Sequence, residues 1–237
     1  MARLSINVDS IAAFRQILGS KEPDPVSMAI LAELGGADGI VCSLNEKLSP
    51  ISERDIRLLK AAVKSHLNIR ITPSNKLIST VISVAPDMVT LIPTDVYSTG
   101  KMGRLDIVSR FDTLLSVIDN LNSHGLVINV MINPQIQQLK EVSKLNCDYV
   151  EFNLNKFYTT KDYDERSEQL ENLSSLCLAA GKLNLGVMAG SGLTYKNIND
   201  IISISAIEEV NIGAAVFSKA FSLGMEAAVR DMITIVH

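Results

Sequence analysis

The chain has 237 residues, of which 47% are hydrophobic and 20% charged, and a net charge of -4. Such a composition is globular, and a slight acidic excess with Lys and Arg spread along the chain excludes the basic footprint that nucleic-acid phosphates require. No apolar run reaches the roughly 18 to 20 residues of a membrane span, and Met1 to Asp9 lacks the basic and apolar sections of a secretory signal, so a cytoplasmic protein is expected.

In chain order, Leu4 to Val8 reads as a first strand, followed by an irregular stretch from Ser10 to Asp24. Asp24 then caps a helix with Pro25 in its first turn, closed by Gly35 and Gly36. Gly39 to Cys42 is a second strand. Ser52 caps the next helix, whose apolar positions Ile56, Leu59, Ala62 and Val63 share one face, and Asp55 completes a capping-box-like start. Further strands are expected at Asn68 to Ile71, Met88 to Leu91, Val127 to Ile132, Tyr149 to Asn153, Leu185 to Ala189 and Glu209 to Ile212, each followed by a helical stretch.

Strand and helix alternating along the whole chain imply a parallel sheet, because a parallel connection needs a crossover that a helix supplies. Eight such units in a chain near the roughly 250 residues typical of the fold predict a single (β/α)8 barrel over residues 1–237. The long irregular stretches, Ser10 to Asp24, Pro93 to Arg104 and Asn155 to Glu165, each follow a strand, where such barrels keep their function.

Two local signals stand after strands seven and eight, where this fold commonly grips phosphate. They are Ala189-Gly190-Ser191-Gly192-Leu193-Thr194-Tyr195 and Asn211-Ile212-Gly213-Ala214-Ala215. Glycines there let backbone N–H groups approach an anion, and a helix start, with Thr194 as its expected cap, adds a favourable dipole. Gly192, Gly213 and Ala214 are therefore the candidate phosphate-binding residues. The plainer alternative is that these glycines only turn tight loops.

Several motifs together resemble the pyridoxine 5'-phosphate synthase family. Asn7-Val8-Asp9 with Ile11-Ala12 and Arg15, Pro23-Asp24-Pro25, Gly36-Ala37-Asp38-Gly39-Ile40 and Ile51-Ser52-Glu53-Arg54-Asp55-Ile56-Arg57 resemble its N-terminal half. The two glycine loops resemble its last phosphate loops. The resemblance implies a barrel that condenses 1-deoxy-D-xylulose 5-phosphate with 3-amino-2-oxopropyl phosphate to pyridoxine 5'-phosphate, without metal or organic cofactor. It also implies a homo-octamer built from dimers. Repeated proton transfers in such a reaction call for groups that titrate near neutral pH.

At the positions where the resemblance implies those groups, this chain carries others. The family's catalytic histidine at the end of strand two is Ser43, the acidic proton acceptor on strand three is Arg70, and the proton-donating histidine between the glycines after strand seven is Ser191. Ser10 stands where a histidine follows the first-strand Asp, Asn45 replaces a substrate-binding arginine, and Pro50 replaces a further histidine. Asn7, Asp9, Ser10, Asn45 and Glu151 are left as candidate substrate-binding residues. A guanidinium stays protonated and accepts no proton, and a serine hydroxyl shuttles protons only beside a base, for which the sequence names no candidate.

The chain contains only His66, His124 and His237. The first two precede strands three and five, on the stability face of a barrel, and the third is the last residue. Arg70, Asn7, Asp9 and Glu151 are expected inside the barrel, where Arg70 binds a ligand, pairs with Asp9 or Glu151, or does both. Lys47, Lys101 and Lys156 fall on loops after strands two, four and six and are expected to be solvated unless one serves as an amine nucleophile or anion clamp. Cys42, Cys147 and Cys177 form no C-x-x-C pair and are expected as reduced thiols. Three functions stay open: a divergent synthase, a ligand-binding or regulatory barrel holding a phosphorylated small molecule, and an enzyme of different chemistry on a phosphorylated substrate.

Overall fold

Short apolar runs punctuated by capped helices give the strands β1 (Arg3–Asn7), β2 (Gly39–Leu44), β3 (His66–Ile71), β4 (Met88–Leu91), β5 (Val127–Ile132), β6 (Tyr149–Asn153), β7 (Gly186–Gly190) and β8 (Glu209–Ile212). In the computed structural model, which describes residues 1–46, 49–93, 107, 109–155, 157 and 162–237, all eight pair in parallel in chain order. β8 closes back on β1 through Arg3 with Glu209 and Ser5 with Asn211. The fold is the expected (β/α)8 barrel.

The helices among the described residues are α1 (Asp9–Leu18), α2 (Pro25–Leu34), α3 (Glu53–Ala62), α4 (Asn75–Val84), α5 (Phe111–Ser123), α6 (Ile136–Val142), α7 (Tyr163–Lys182), α8 (Ile198–Ile202), α9 (Ala214–Leu223) and α10 (Met225–Val236). Two of their starts are those expected from the sequence. Asp24 accepts a bond from the Ser27 N–H at the head of α2, and Ser52 with Asp55 forms a reciprocal capping box on α3. None of these helices is long and apolar enough to cross a membrane.

One expectation fails here. Ser10 to Asp24 is not an irregular stretch, because α1 occupies most of it, burying Ile11 and Ala12 and ending on Gly19 in the left-handed region at φ 59°. Arg15, on this helix, grips the buried Asp55 at 2.6 and 3.0 Å and the Pro50 carbonyl at 3.2 Å. Burial pushes the Asp55 carboxyl up, but the Arg15 guanidinium and the Ser52 hydrogen bonds outweigh it and hold the group below its ordinary value. The pair ties α1 to α3 across β2.

Strand alternation sorts the interior into two zones. Residues such as Leu4, Ile40, Ile69, Val89, Val130 and Phe152 face the helices and join the apolar core. The lumen is instead polar. Thr90 donates to Asn68 at 2.8 Å, Asn129 donates to Thr90 at 3.0 Å and to Glu151 at 3.2 Å, and Arg70 donates to Glu151 at 2.6 Å. Beside this chain, Ser5 donates to the buried Glu209 at 2.7 Å, with Arg3 at 3.3 Å.

Candidate functional site

The C-terminal ends of β1, β3, β7 and β8 frame a cavity of about 510 Å³, into which Asn7, Arg70, Ser191, Gly192, Gly213 and Ala214 all face. Its size suits a small metabolite. Six residues expected from sequence thus meet in one place.

One wall is backbone. α9 begins directly after β8, and its first internal bond, from Phe217 N–H to the Gly213 carbonyl at 3.0 Å, leaves the N–H groups of Ala214 and Ala215 without helical partners. They turn the positive end of a ten-residue helix toward the cavity. A side chain at Gly213 would press on Asn7, with its first carbon 3.0 Å from the Asn7 carbonyl oxygen and 3.1 Å from the Asn7 Cβ. Beside it, after the neighbouring strand β7, is a turn where Ser191 and Gly192 are both left-handed, at φ 70° and 74°. For Ser191 that conformation costs roughly 1 kcal/mol.

Thr194 does not cap a helix as expected. α8 starts only at Ile198, after Asn197, whose side chain accepts from the Thr194 N–H at 2.6 Å and donates to the Gly192 carbonyl at 3.0 Å. The dipole facing the cavity comes from α9, while Asn197 fixes the Gly192 loop from behind.

The floor is Arg70. Its partner is Glu151 alone of the two carboxylates expected, at 2.6 Å, and Glu151 is fully buried. Gly190 makes room for this pair, since a side chain there would collide with the Glu151 carboxylate. The Arg70 Nε has no partner, and neither polar atom of the Asn211 side chain has one, although both residues face the cavity.

Asp9 lies elsewhere than expected: it opens α1 rather than sitting on β1. Its carboxylate takes the Ser43 N–H at 2.7 Å, the Ser43 hydroxyl at 2.5 Å and the Asn7 side-chain amide at 2.9 Å. Ser43 therefore does have a carboxylate neighbour that sequence alone did not supply. Yet Ser43 is buried, and its hydroxyl is spent on Asp9 rather than offered to the cavity. Ser10, in the first turn of α1, and Asn45, just past β2, do not line the cavity.

No imidazole reaches this mouth. His66 opens β3 at the far end of the barrel, where burial lowers its pKa, His124 ends α5, and His237 lies 3.4 Å from Asp38 before β2. Among the described residues lining the cavity, Arg70 is the one ionisable side chain. No group of three His, Cys, Asp or Glu among them stands close enough to hold a metal ion. Lys47, Lys101 and Lys156 lie outside the described residues. Cys42, Cys147 and Cys177 are free thiols, and burial pushes all three above their ordinary pKa.

Three features escaped the sequence reading. Asn155 and Asn211 line the cavity, and Glu209 is a buried lumen carboxyl that burial pushes up to about 7, against the Ser5 hydrogen bond and the Arg3 charge. The alternation along β8 was a usable signal, since it puts Glu209 and Asn211 on one face.

The family model for pyridoxal phosphate biosynthesis protein PdxJ matches residues 4–237. Pyridoxine 5'-phosphate synthase of Geotalea daltonii is 39% identical over 236 residues, covering 100% of this chain and 99% of that protein. The synthase of Syntrophobacter fumaroxidans is 39% identical over 237 residues and covers 100% of both. Among solved structures, N-(5'-phosphoribosyl)anthranilate isomerase from Pyrococcus furiosus superposes with a TM-score of 0.64 at 16% identity, over 100% of this chain and 98% of that one, a likeness of fold alone.

Proposed function

The chain belongs to the family of pyridoxal phosphate biosynthesis protein PdxJ, and from that premise we propose that it is a divergent barrel of this family that binds a phosphorylated small molecule and has lost the family's acid–base catalysis. One observation carries the reading. The cavity keeps a backbone anion cradle at Gly192, Gly213 and Ala214, while its one ionisable side chain among the described residues is a guanidinium.

The cradle supports phosphate binding because unpaired N–H groups at a helix start favour an anion without any lysine. The loss of proton transfer follows from pKa. A guanidinium accepts no proton, no hydrogen bond ties Ser191 to a base among the described residues, and the Ser43 hydroxyl is held by Asp9. Asn7 and Glu151 act as the frame, Asn7 against Gly213 and Glu151 under Arg70. The reading needs no metal or organic cofactor.

A homo-oligomer and a cytoplasmic location are part of the same proposal. Ile17 and Leu18 of α1 and Phe221 and Leu223 of α9 are exposed beside a cluster of Phe14, Phe217 and Phe221 with ring centroids 4.9 to 5.8 Å apart. Large apolar side chains exposed in this way suit burial against another copy.

Titration calorimetry with inorganic phosphate and with 1-deoxy-D-xylulose 5-phosphate tests the cradle. Both should bind, and Gly213→Ala, which intrudes on Asn7 and the cradle, should weaken both at least about tenfold. Equal binding by that variant, or none by the parent protein, refutes the proposal.

A further inference from the structure

The cradle leaves two polar residues that line the cavity unexplained. The buried Asn211, 3% exposed, carries an amide whose nitrogen and oxygen both lack partners, and Arg70 carries an Nε that lacks one. Buried polar groups are almost always paired, so three orphaned atoms on two residues that line one cavity point to a missing occupant. Glu151 and the neighbouring Asn129 do not satisfy them. Glu151 is taken up by an Arg70 Nη and by the Asn129 amide.

The chemistry of the three atoms defines that occupant. Arg70 Nε–H and one end of the Asn211 amide are donors, and the other end is an acceptor. Two donors with one acceptor match a carboxylate carrying a hydroxyl on the adjacent carbon. The guanidinium also makes the carboxylate bond charge-assisted, the stronger class of hydrogen bond. A ketose or amino ketone would offer Arg70 only a neutral oxygen.

Resting on the proposed phosphate cradle, we propose that Arg70 and Asn211 form a second subsite, and that the ligand is a phosphorylated 2-hydroxy carboxylic acid rather than a phosphorylated sugar. The phosphate lies at Gly192 and Gly213, and the carboxylate lies on Arg70. Glu151 is a positioning residue, holding the guanidinium by one Nη and leaving its Nε–H unpaired.

Two probes of equal carbon length decide the matter by calorimetry: 3-phosphoglycerate, which has the carboxylate, and glycerol 3-phosphate, which has a hydroxyl in its place. The protein should bind 3-phosphoglycerate at least about tenfold more tightly, about 1.4 kcal/mol. In the charge-balanced double variant Arg70→Met with Glu151→Gln, the two probes should bind within about twofold of each other, at the affinity set by the cradle. Asn211→Ala, which leaves the ion pair intact, should lose part of the preference and serves as a second test if the double variant does not fold.

Equal affinity of the parent protein for both probes overturns the second subsite while the cradle stands. A carboxylate preference that survives in both variants overturns it as well. Failure of both probes to bind overturns the cradle and this subsite together.

Discussion

Replacing Glu209 by glutamine should remove a large part of the protein's pH-dependent stability. Glu209 opens β8 inside the barrel, 1% exposed, and burial moves its carboxyl from 4.5 to about 7 despite the Ser5 hydroxyl at 2.7 Å and Arg3 at 3.3 Å. Arg3 is half exposed, so its charge is largely screened. A raised carboxyl makes the folded protein the better proton acceptor between the two values, and the neutral acid is the favoured folded form. Stability from this group is complete below 4.5, falls as pH rises, and levels off above about 7. At about 1.4 kcal/mol for each pH unit in that window, the full loss is about 3 kcal/mol. Glu209→Gln keeps an acceptor for Ser5 and has nothing to titrate. Urea unfolding of both proteins at pH 5 and pH 8 should show the parent losing about 2 to 3 kcal/mol more than the variant over that interval. His66 and the surface carboxylates titrate in both proteins and cancel in the comparison. Parallel pH dependence would refute the placement of Glu209 as a buried, raised carboxyl.

Arg70→Met alone leaves the fully buried Glu151 without its counterion, and urea unfolding near neutral pH should show a loss of about 3 to 5 kcal/mol. Adding Glu151→Gln should restore most of that loss, since the amide still reaches Asn129. Ser52→Ala removes the cap of α3 and, through Asp55, loosens the anchor of Arg15. Calorimetry should find about 1 kcal/mol of destabilisation, a melting point lower by about 2 to 4 °C in a chain of this size.

The architecture was legible because the strands are short and rich in apolar residues and several helices open on a capping side chain, as Asp24 and Ser52 do. The gathering of Gly192, Gly213 and Ala214 at one cavity was legible for a related reason: the glycines follow the last two strands, whose C-terminal ends meet there. α1 was missed because its start, Val8, has no capping side chain and it follows the strand without a loop. The lumen was legible in composition but not in pairing. Arg70 and Glu151 lie 81 residues apart, and Ser5 and Glu209 lie 204 apart. Alternation says that each points inward, but the tilt and stagger of the closed sheet decide which of them meet. The bond between Asp9 and Ser43 likewise depends on how α1 leaves β1, which no local pattern encodes.

On the function proposed, an anion cradle persists here without the groups that move protons for the family reaction. Its most direct test mixes the purified protein with 1-deoxy-D-xylulose 5-phosphate and 3-amino-2-oxopropyl phosphate and follows pyridoxine 5'-phosphate, beside the Geotalea daltonii synthase as a reference. No product above background is expected, although 1-deoxy-D-xylulose 5-phosphate binds. Product formed at a rate comparable to the reference enzyme would contradict it.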